Sequence, residues 1–176
     1  MNSRLFVTGF GPFGTVTANP SQLLAESYDG PKQILDVSFA AVDDFVREID
    51  QSSFDTLLLI GVASGRDRLT PEFFARNSIG KTKDVCGESR FGEIDANQPL
   101  LLEGTLWRSD QVAEWTMDMP VRASFDAGNY LCNYVYFRAL ENLPSKHVGF
   151  LHVPPVEKVS FEEQKATLKR IIADLG

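Results

Sequence analysis

The chain has 176 residues, with 17 Lys+Arg against 24 Asp+Glu for a net charge of −7, and 43% of its residues are hydrophobic. That length suits a single domain, residues 1–176, with a proper core. The acidic balance has the wrong sign for a nucleic-acid binder, and no run approaches the roughly 18 apolar residues of a membrane span. The N-terminal Met1-Asn2-Ser3-Arg4-Leu5-Phe6-Val7 runs into a strand-like pattern rather than a signal peptide, so a cytoplasmic location is expected. Two cysteines, Cys86 and Cys132, are too few for a disulfide framework and, with two histidines, thin for a structural zinc site.

Apolar runs alternate with segments of helical period, and no linker, repeat or low-complexity tract interrupts them, which predicts one α/β domain. Residues 5–8 read as a buried strand closed by Gly9-Phe10-Gly11-Pro12-Phe13-Gly14, and a helix is predicted from Asn19-Pro20, a cap followed by proline. A second strand is expected over 34–39, then a helix striped by Val42, Phe45, Val46 and Ile49. Residues 56–60 predict a third strand ending at Gly61, and 71–77 a fourth, carrying Glu72 beside Phe73 and Phe74. From 78 to 104 the pattern dissolves into glycine and charge, a long surface excursion expected to serve as a lid.

Val112, Trp115, Thr116 and Met119 keep helical spacing, and 121–124 predicts a short strand leading into Asp126-Ala127-Gly128-Asn129-Tyr130-Leu131-Cys132. Leu131, Tyr134, Val135 and Ala139 mark the next helix, and 148–153 a last strand stopped by Pro154-Pro155. Ser160 with Glu163 forms a capping box for a terminal helix through Leu168, Ile171, Ile172 and Leu175, where the chain is expected to be complete.

The first loop matches G-x-G-x-x-G, the dinucleotide fingerprint, in which the third glycine lies inside a helix facing the pyrophosphate. Here Thr15, Val16 and Thr17 precede the helix, Pro12 lacks an amide donor, and Phe10 and Phe13 crowd the approach, all of which argue against a nucleotide. Two aromatics on a rigid loop either fill the core or line a slot for a small flat apolar group. Cys132 follows a small-residue turn near a helix start, where the helix dipole and free amides stabilise a thiolate; it is a nucleophile or a buried small apolar residue. Cys86, among Lys83, Asp84, Glu88 and Arg90, has no such cradle. His152 ends a buried strand, where α/β ligand crevices form, whereas His147 beside Pro144, Ser145 and Lys146 is expected to face solvent. Glu72 either points to water or is buried, and burial would demand a partner such as histidine.

Taken together, Val7-Thr8-Gly9-Phe10-Gly11-Pro12-Phe13-Gly14 with Asn19-Pro20-Ser21, Pro71-Glu72 with Asn77, Asp126-Ala127-Gly128-Asn129-Tyr130-Leu131-Cys132-Asn133 and Gly149-Phe150-Leu151-His152-Val153-Pro154 closely resemble type I pyroglutamyl peptidases, in order and across nearly the whole chain. The resemblance implies a three-layer α/β/α sandwich with a mixed, mostly parallel twisted sheet. It implies a cysteine exopeptidase acting on peptides with N-terminal pyroglutamate, without metal or organic cofactor, and cytosolic enzymes that are often homo-oligomers. Cys132 would be the nucleophile, His152 the general acid/base and Glu72 the residue orienting the imidazole. Phe10, Phe13 and Tyr130 would line the lactam pocket. Many bacterial relatives carry an arginine five residues after the position of Asn77, where this chain has Thr82 within Gly80-Lys81-Thr82-Lys83-Asp84, closer to the pattern of animal relatives, and the region 87–104 is shorter than in typical members. From another class, the alternative is a catalytically silent module that keeps the aromatic pocket and binds pyroglutamyl ends or a partner protein.

Overall fold

Alternation of apolar side chains along the central strands divides the core in two. The computed structural model describes residues 4–176; Met1, Asn2 and Ser3, read above as the lead-in to the first strand, lie outside the described residues. The strands β1 (Leu5–Phe10), β2 (Lys32–Leu35), β3 (Thr56–Val62), β4 (Thr70–Glu72) and β7 (His147–Val153) form one sheet in the order β2-β1-β3-β7-β4. β2, β1, β3 and β7 run parallel, and β4 is antiparallel to β7. On one face Leu57, Leu59, Val148 and Phe150 pack against α2 (Phe39–Glu48) and α4 (Leu131–Asn142). On the other, Leu58, Ile60, Leu151 and Val153 meet α1 (Pro20–Glu26), α3 (Ser109–Asp118) and α5 (Phe161–Asp174). The result is a three-layer α/β/α sandwich with a mixed, mostly parallel sheet. Each such leucine, withdrawn fully from water, contributes about 1.5–3 kcal/mol.

Local signals set the helix starts. Asn19 Oδ1 accepts from Ser21 N at 3.0 Å and from its hydroxyl at 2.8 Å, while its Nδ2 donates to Gly11 O at 3.0 Å, so the glycine loop and the α1 cap are one unit. Gly9 is required there, because a Cβ would lie 2.3 Å from Ser21 O. Ser38 caps α2, and Asp84, buried within the 78–104 segment, accepts from Phe39 N at 2.9 Å. Ser160 Oγ accepts from Glu163 N at 3.3 Å, starting α5 as its capping motif predicted.

Four sequence expectations need correction. The second strand is Lys32–Leu35 rather than 34–39, since Ser38 is already a helix cap and Phe39 the first residue of α2. The stretch 71–77 is two strands: β4 in the main sheet and β5 (Phe74–Arg76), which turns away to pair antiparallel with β6 (Leu101–Glu103). The excursion 78–104 therefore contains a strand, and Ile79 and Asp84 within it are buried. Residues 121–124 are not a strand, although they run parallel to β4. Leu69 N donates to Pro120 O, Arg122 N to Leu69 O, Ser124 N to Pro71 O and Phe73 N to Ser124 O, at 2.8–3.0 Å. The rung between them is missing because Pro71 has no N–H, which leaves isolated bridges at Val121 and Ser124.

Asn133 and Asn77 fasten the second layer. Asn133, fully buried on α4, accepts from Arg76 N at 2.7 Å and donates to Arg76 O and Ser78 O. Asn77 accepts from Ile94 N and Asp95 N and donates to Asp95 O and Gln98 O. Replacing Asn133 with alanine strands three backbone groups, and urea unfolding is expected to show a loss of about 1–3 kcal/mol per unpaired buried group; a loss below about 0.5 kcal/mol in total would contradict this clamp.

Candidate active site

The parallel strands carry their C-terminal ends to one edge of the sheet, and the site residues collect there, as in open α/β folds generally. His152 is the penultimate residue of β7 and lies on the α2/α4 face with Phe150, whose ring meets the imidazole edge-on at 4.8 Å. The antiparallel register of β4 sets Thr70 opposite His152 and Glu72 opposite Phe150. Glu72 Oε1 then sits 2.7 Å from His152 Nδ1, with the carboxylate fully buried and the histidine 5% exposed. Glu72 thus takes the buried of its two expected fates and has the histidine partner that burial requires. His147 is exposed, as expected.

Cys132 arrives from α4. Gly128, at φ +83° and with its N–H held by Asp126 Oδ1 at 2.9 Å, makes the preceding turn in a conformation that favours glycine. The helix begins at Leu131 after Tyr130, and no side chain caps it, so its first amides are left without a side-chain acceptor. Cys132 is half-buried, and its sulfur lies against Gly61, the register partner of His152 on the neighbouring strand; with Nδ1 engaged by Glu72, the second ring nitrogen, Nε2, is left for the sulfur. Burial would push the imidazole down, but the charge of Cys132, hydrogen bonds to Cys132 and Glu72, and the charge of Glu72 outweigh it, so His152 is pushed up to about 9.

Gly61, noted in the sequence only as a strand end, makes room for the sulfur: a Cβ there would lie 2.7 Å from Cys132 Sγ and 2.7 Å from Phe150 Cζ. Cys132 also forms one wall of a small pocket with Phe10, Phe13, Asn19, Val37, Val62, Tyr130 and Leu131. Phe10 is 4% exposed in the core cluster and is also part of the pocket wall, with Phe13 packed partly buried beside it. Tyr130 donates its hydroxyl to Lys83 O at 2.9 Å, and Gly80 N donates to Asn129 O, so the 78–104 segment borders the pocket. A larger hollow between β5 and α3, lined by Phe73, Phe74, Trp107 and Phe125, contains none of these site residues. Cys86 is exposed and outside the cluster. Among the described residues, no group of three or more His, Cys, Asp and Glu side chains is placed to hold a metal ion.

One residue of the cluster went unnoticed in the sequence. Arg66 Nη2 lies 3.2 Å from Glu72 Oε1. The signal available was Glu72 itself, whose burial calls for more than one partner.

The family model described as pyroglutamyl peptidase matches residues 3–174. The chain belongs to the pyroglutamyl peptidase family. It is 26% identical to the pyrrolidone-carboxylate peptidase of Bacillus subtilis, over 96% of this chain and 86% of that protein. It is 29% identical to the Mycobacterium tuberculosis enzyme of the same name, over 90% and 80% respectively. Among solved structures, pyrrolidone carboxyl peptidase from Thermus thermophilus superposes with a TM-score of 0.82 at 30% identity, covering 94% of this chain and 96% of that one. Bacillus amyloliquefaciens pyroglutamyl peptidase I shares the fold at a TM-score of 0.87 and 22% identity, with coverages of 98% and 95%. The chain is accordingly a peptidase and a hydrolase, and the silent-module reading is set aside. Among the described residues no helix is long and apolar enough to cross a membrane.

If the sulfur rests on Gly61 as described, Gly61→Ala displaces it. The variant is expected to lose about 1–3 kcal/mol of stability from overpacking and to react more slowly with iodoacetamide at Cys132; unchanged alkylation would remove Gly61 from the site.

Proposed function

We propose that this chain hydrolyses the amide bond after an N-terminal pyroglutamyl residue through a Cys132–His152–Glu72 triad and an acyl-enzyme. The observation that supports the reading is the buried Glu72–His152 pair beside Gly61, against which the Cys132 sulfur lies on the wall of an apolar, aromatic pocket. Pyroglutamate is a five-membered lactam without an ammonium group, so the carboxylate that ordinarily recognises a peptide amine has nothing to grip. Phe10, Phe13 and Tyr130 pack against the ring, and backbone groups pair with its carbonyl and N–H. A free glutamyl or glutaminyl end would bring a charged amine into this slot at a desolvation cost on the order of several kcal/mol, which rejects it.

In the reaction, Cys132 Sγ, as thiolate, attacks the carbonyl carbon that joins pyroglutamate to the next residue. The uncapped amides at the start of α4 stabilise the resulting oxyanion. The C–N bond breaks as His152 gives its proton to the departing amine, leaving a thioester. His152, now neutral, takes a proton from water; the hydroxide oxygen adds to the thioester, the C–S bond breaks, and free pyroglutamate leaves with the thiolate and imidazolium restored. Glu72 fixes the tautomer and plane of the ring and stabilises the imidazolium, as acidic triad members do. Thr82 stands where many bacterial relatives carry an arginine, and oxyanion stabilisation here is assigned to backbone donors.

A pyroglutamyl amide of a fluorophore tests this directly, with the glutamyl amide as control. Wild type is expected to cleave only the former, Cys132→Ala to lose at least about a thousandfold in kcat, and Cys86→Ser to stay within about twofold of wild type. Equal losses from both cysteine variants would sink the assignment. The pH profile has a definite sign. Protonation of the leaving amine requires the charged imidazole, so kcat/KM falls as pH rises through about 9. Glu72→Gln, which removes a contribution that raises His152, moves this alkaline limb to lower pH; a limb that stays in place in that variant would exclude Glu72 as the orienting group.

A further inference from the structure

Arg66 reaches the site from the segment between β3 and β4, and its side chain is 33% exposed. All three of its polar contacts converge on one nitrogen. Nη2, which carries two hydrogens, shares them among Glu72 Oε1 at 3.2 Å, Ser124 Oγ at 2.9 Å and Asp126 O at 3.0 Å. Oε1 of Glu72 is the same oxygen that faces His152 Nδ1, and Oε2 is buried without a hydrogen-bond partner among the described residues. The orienting oxygen is thus held from two sides, by the imidazole and by a permanent cation.

Ser124 and Asp126 belong to the turn that delivers the nucleophile. Ser124 bonds across to β4 through its backbone, and Asp126 Oδ1 holds Gly128 N, four residues before Cys132. One guanidinium nitrogen therefore spans the strand that carries the acid and the turn that carries the sulfur. We propose that Arg66 is a positioning residue for the triad: by bonding Glu72, Ser124 and the Asp126 carbonyl at once, it fixes the carboxylate relative to His152 and to the turn before Cys132. The inference rests on the triad assignment above.

The contacts meet at a point rather than along the planar fork of the guanidinium, and this shapes the test. A lysine ammonium near the Nη2 position has three donors and serves the same acceptors, although its stem is shorter. A neutral side chain of similar length serves none. Using the pyroglutamyl fluorogenic amide, Arg66→Met is expected to lower kcat by roughly 10- to 100-fold with KM within about twofold. Arg66→Lys should recover kcat to within about fivefold of wild type. Because Arg66 acts through the carboxylate, adding Arg66→Met to Glu72→Gln should cost less than about twofold beyond Glu72→Gln alone.

The role is overturned if Arg66→Met keeps kcat within about twofold of wild type, if Arg66→Lys is as slow as Arg66→Met, or if the two losses multiply in the double variant. Where thermal unfolding shows Arg66→Met to be unfolded, Ser124→Ala removes one acceptor and keeps the rest. It should lower kcat about two- to fivefold at unchanged KM, and an unchanged kcat would overturn the proposal. Cys132→Ala is run alongside: turnover by that variant defeats the triad reading itself, whereas an inactive Cys132→Ala with an unaffected Arg66→Met defeats the role of Arg66 alone.

Discussion

The hydrogen bond between Glu72 and His152 sets the terms for the rest of the site. A fully buried carboxylate is tolerated only when its charge is met, and meeting it here takes a histidine from β7, an arginine from the β3–β4 connection and an antiparallel strand that brings carboxylate and imidazole together. The antiparallel direction matters in itself. β4 runs against its neighbour, and its last residue falls opposite Phe150, two residues before His152 on the same face, with its side chain in reach of the imidazole.

Around that bond the fold performs two separate tasks. The parallel strands, with their two apolar faces, supply stiffness and gather their C-terminal ends at one edge. The loops and helix starts supply chemistry: the glycine turn, knitted to α1 by Asn19, presents Phe10 and Phe13, and the start of α4 presents Cys132 over Gly61. Two glycines serve this edge by absence of a side chain, Gly9 admitting α1 to β1 and Gly61 admitting sulfur to β3. Tyr136 links the layers, donating its hydroxyl to Glu72 O at 2.8 Å from within α4.

Much of this was legible in the residues. Alternating apolar runs reported the central strands, the Asn19-Pro20 and Ser160/Glu163 caps reported helix starts, and the glycine-aromatic loop, Cys132, His152 and Glu72 stood out by position as well as by resemblance. What escaped depends on contacts distant in sequence. Arg66 lies in Ser64-Gly65-Arg66-Asp67-Arg68, where only the fold selects one of the neighbouring charges to contact Glu72. Asp84 looked like part of a polar excursion, yet it bonds the first amide of α2, 45 residues away. The division of 71–77 into two strands was equally hidden, since Phe73 and Phe74 continue the apolar run while the backbone changes sheets.

The absent rung at Pro71 bears on how the enzyme fails. The strand with Glu72 and the segment leading to Cys132 are joined on either side of a gap, whereas β3 and β7 are paired along their full length. Such a seam forms a local opening unit of lower stability than the parallel centre. Heat or denaturant is therefore expected to part Glu72 from Cys132 while the central strands still protect their amides from exchange. The lifetime of the Glu72–Cys132 juxtaposition would then be governed by this seam rather than by the global unfolding free energy.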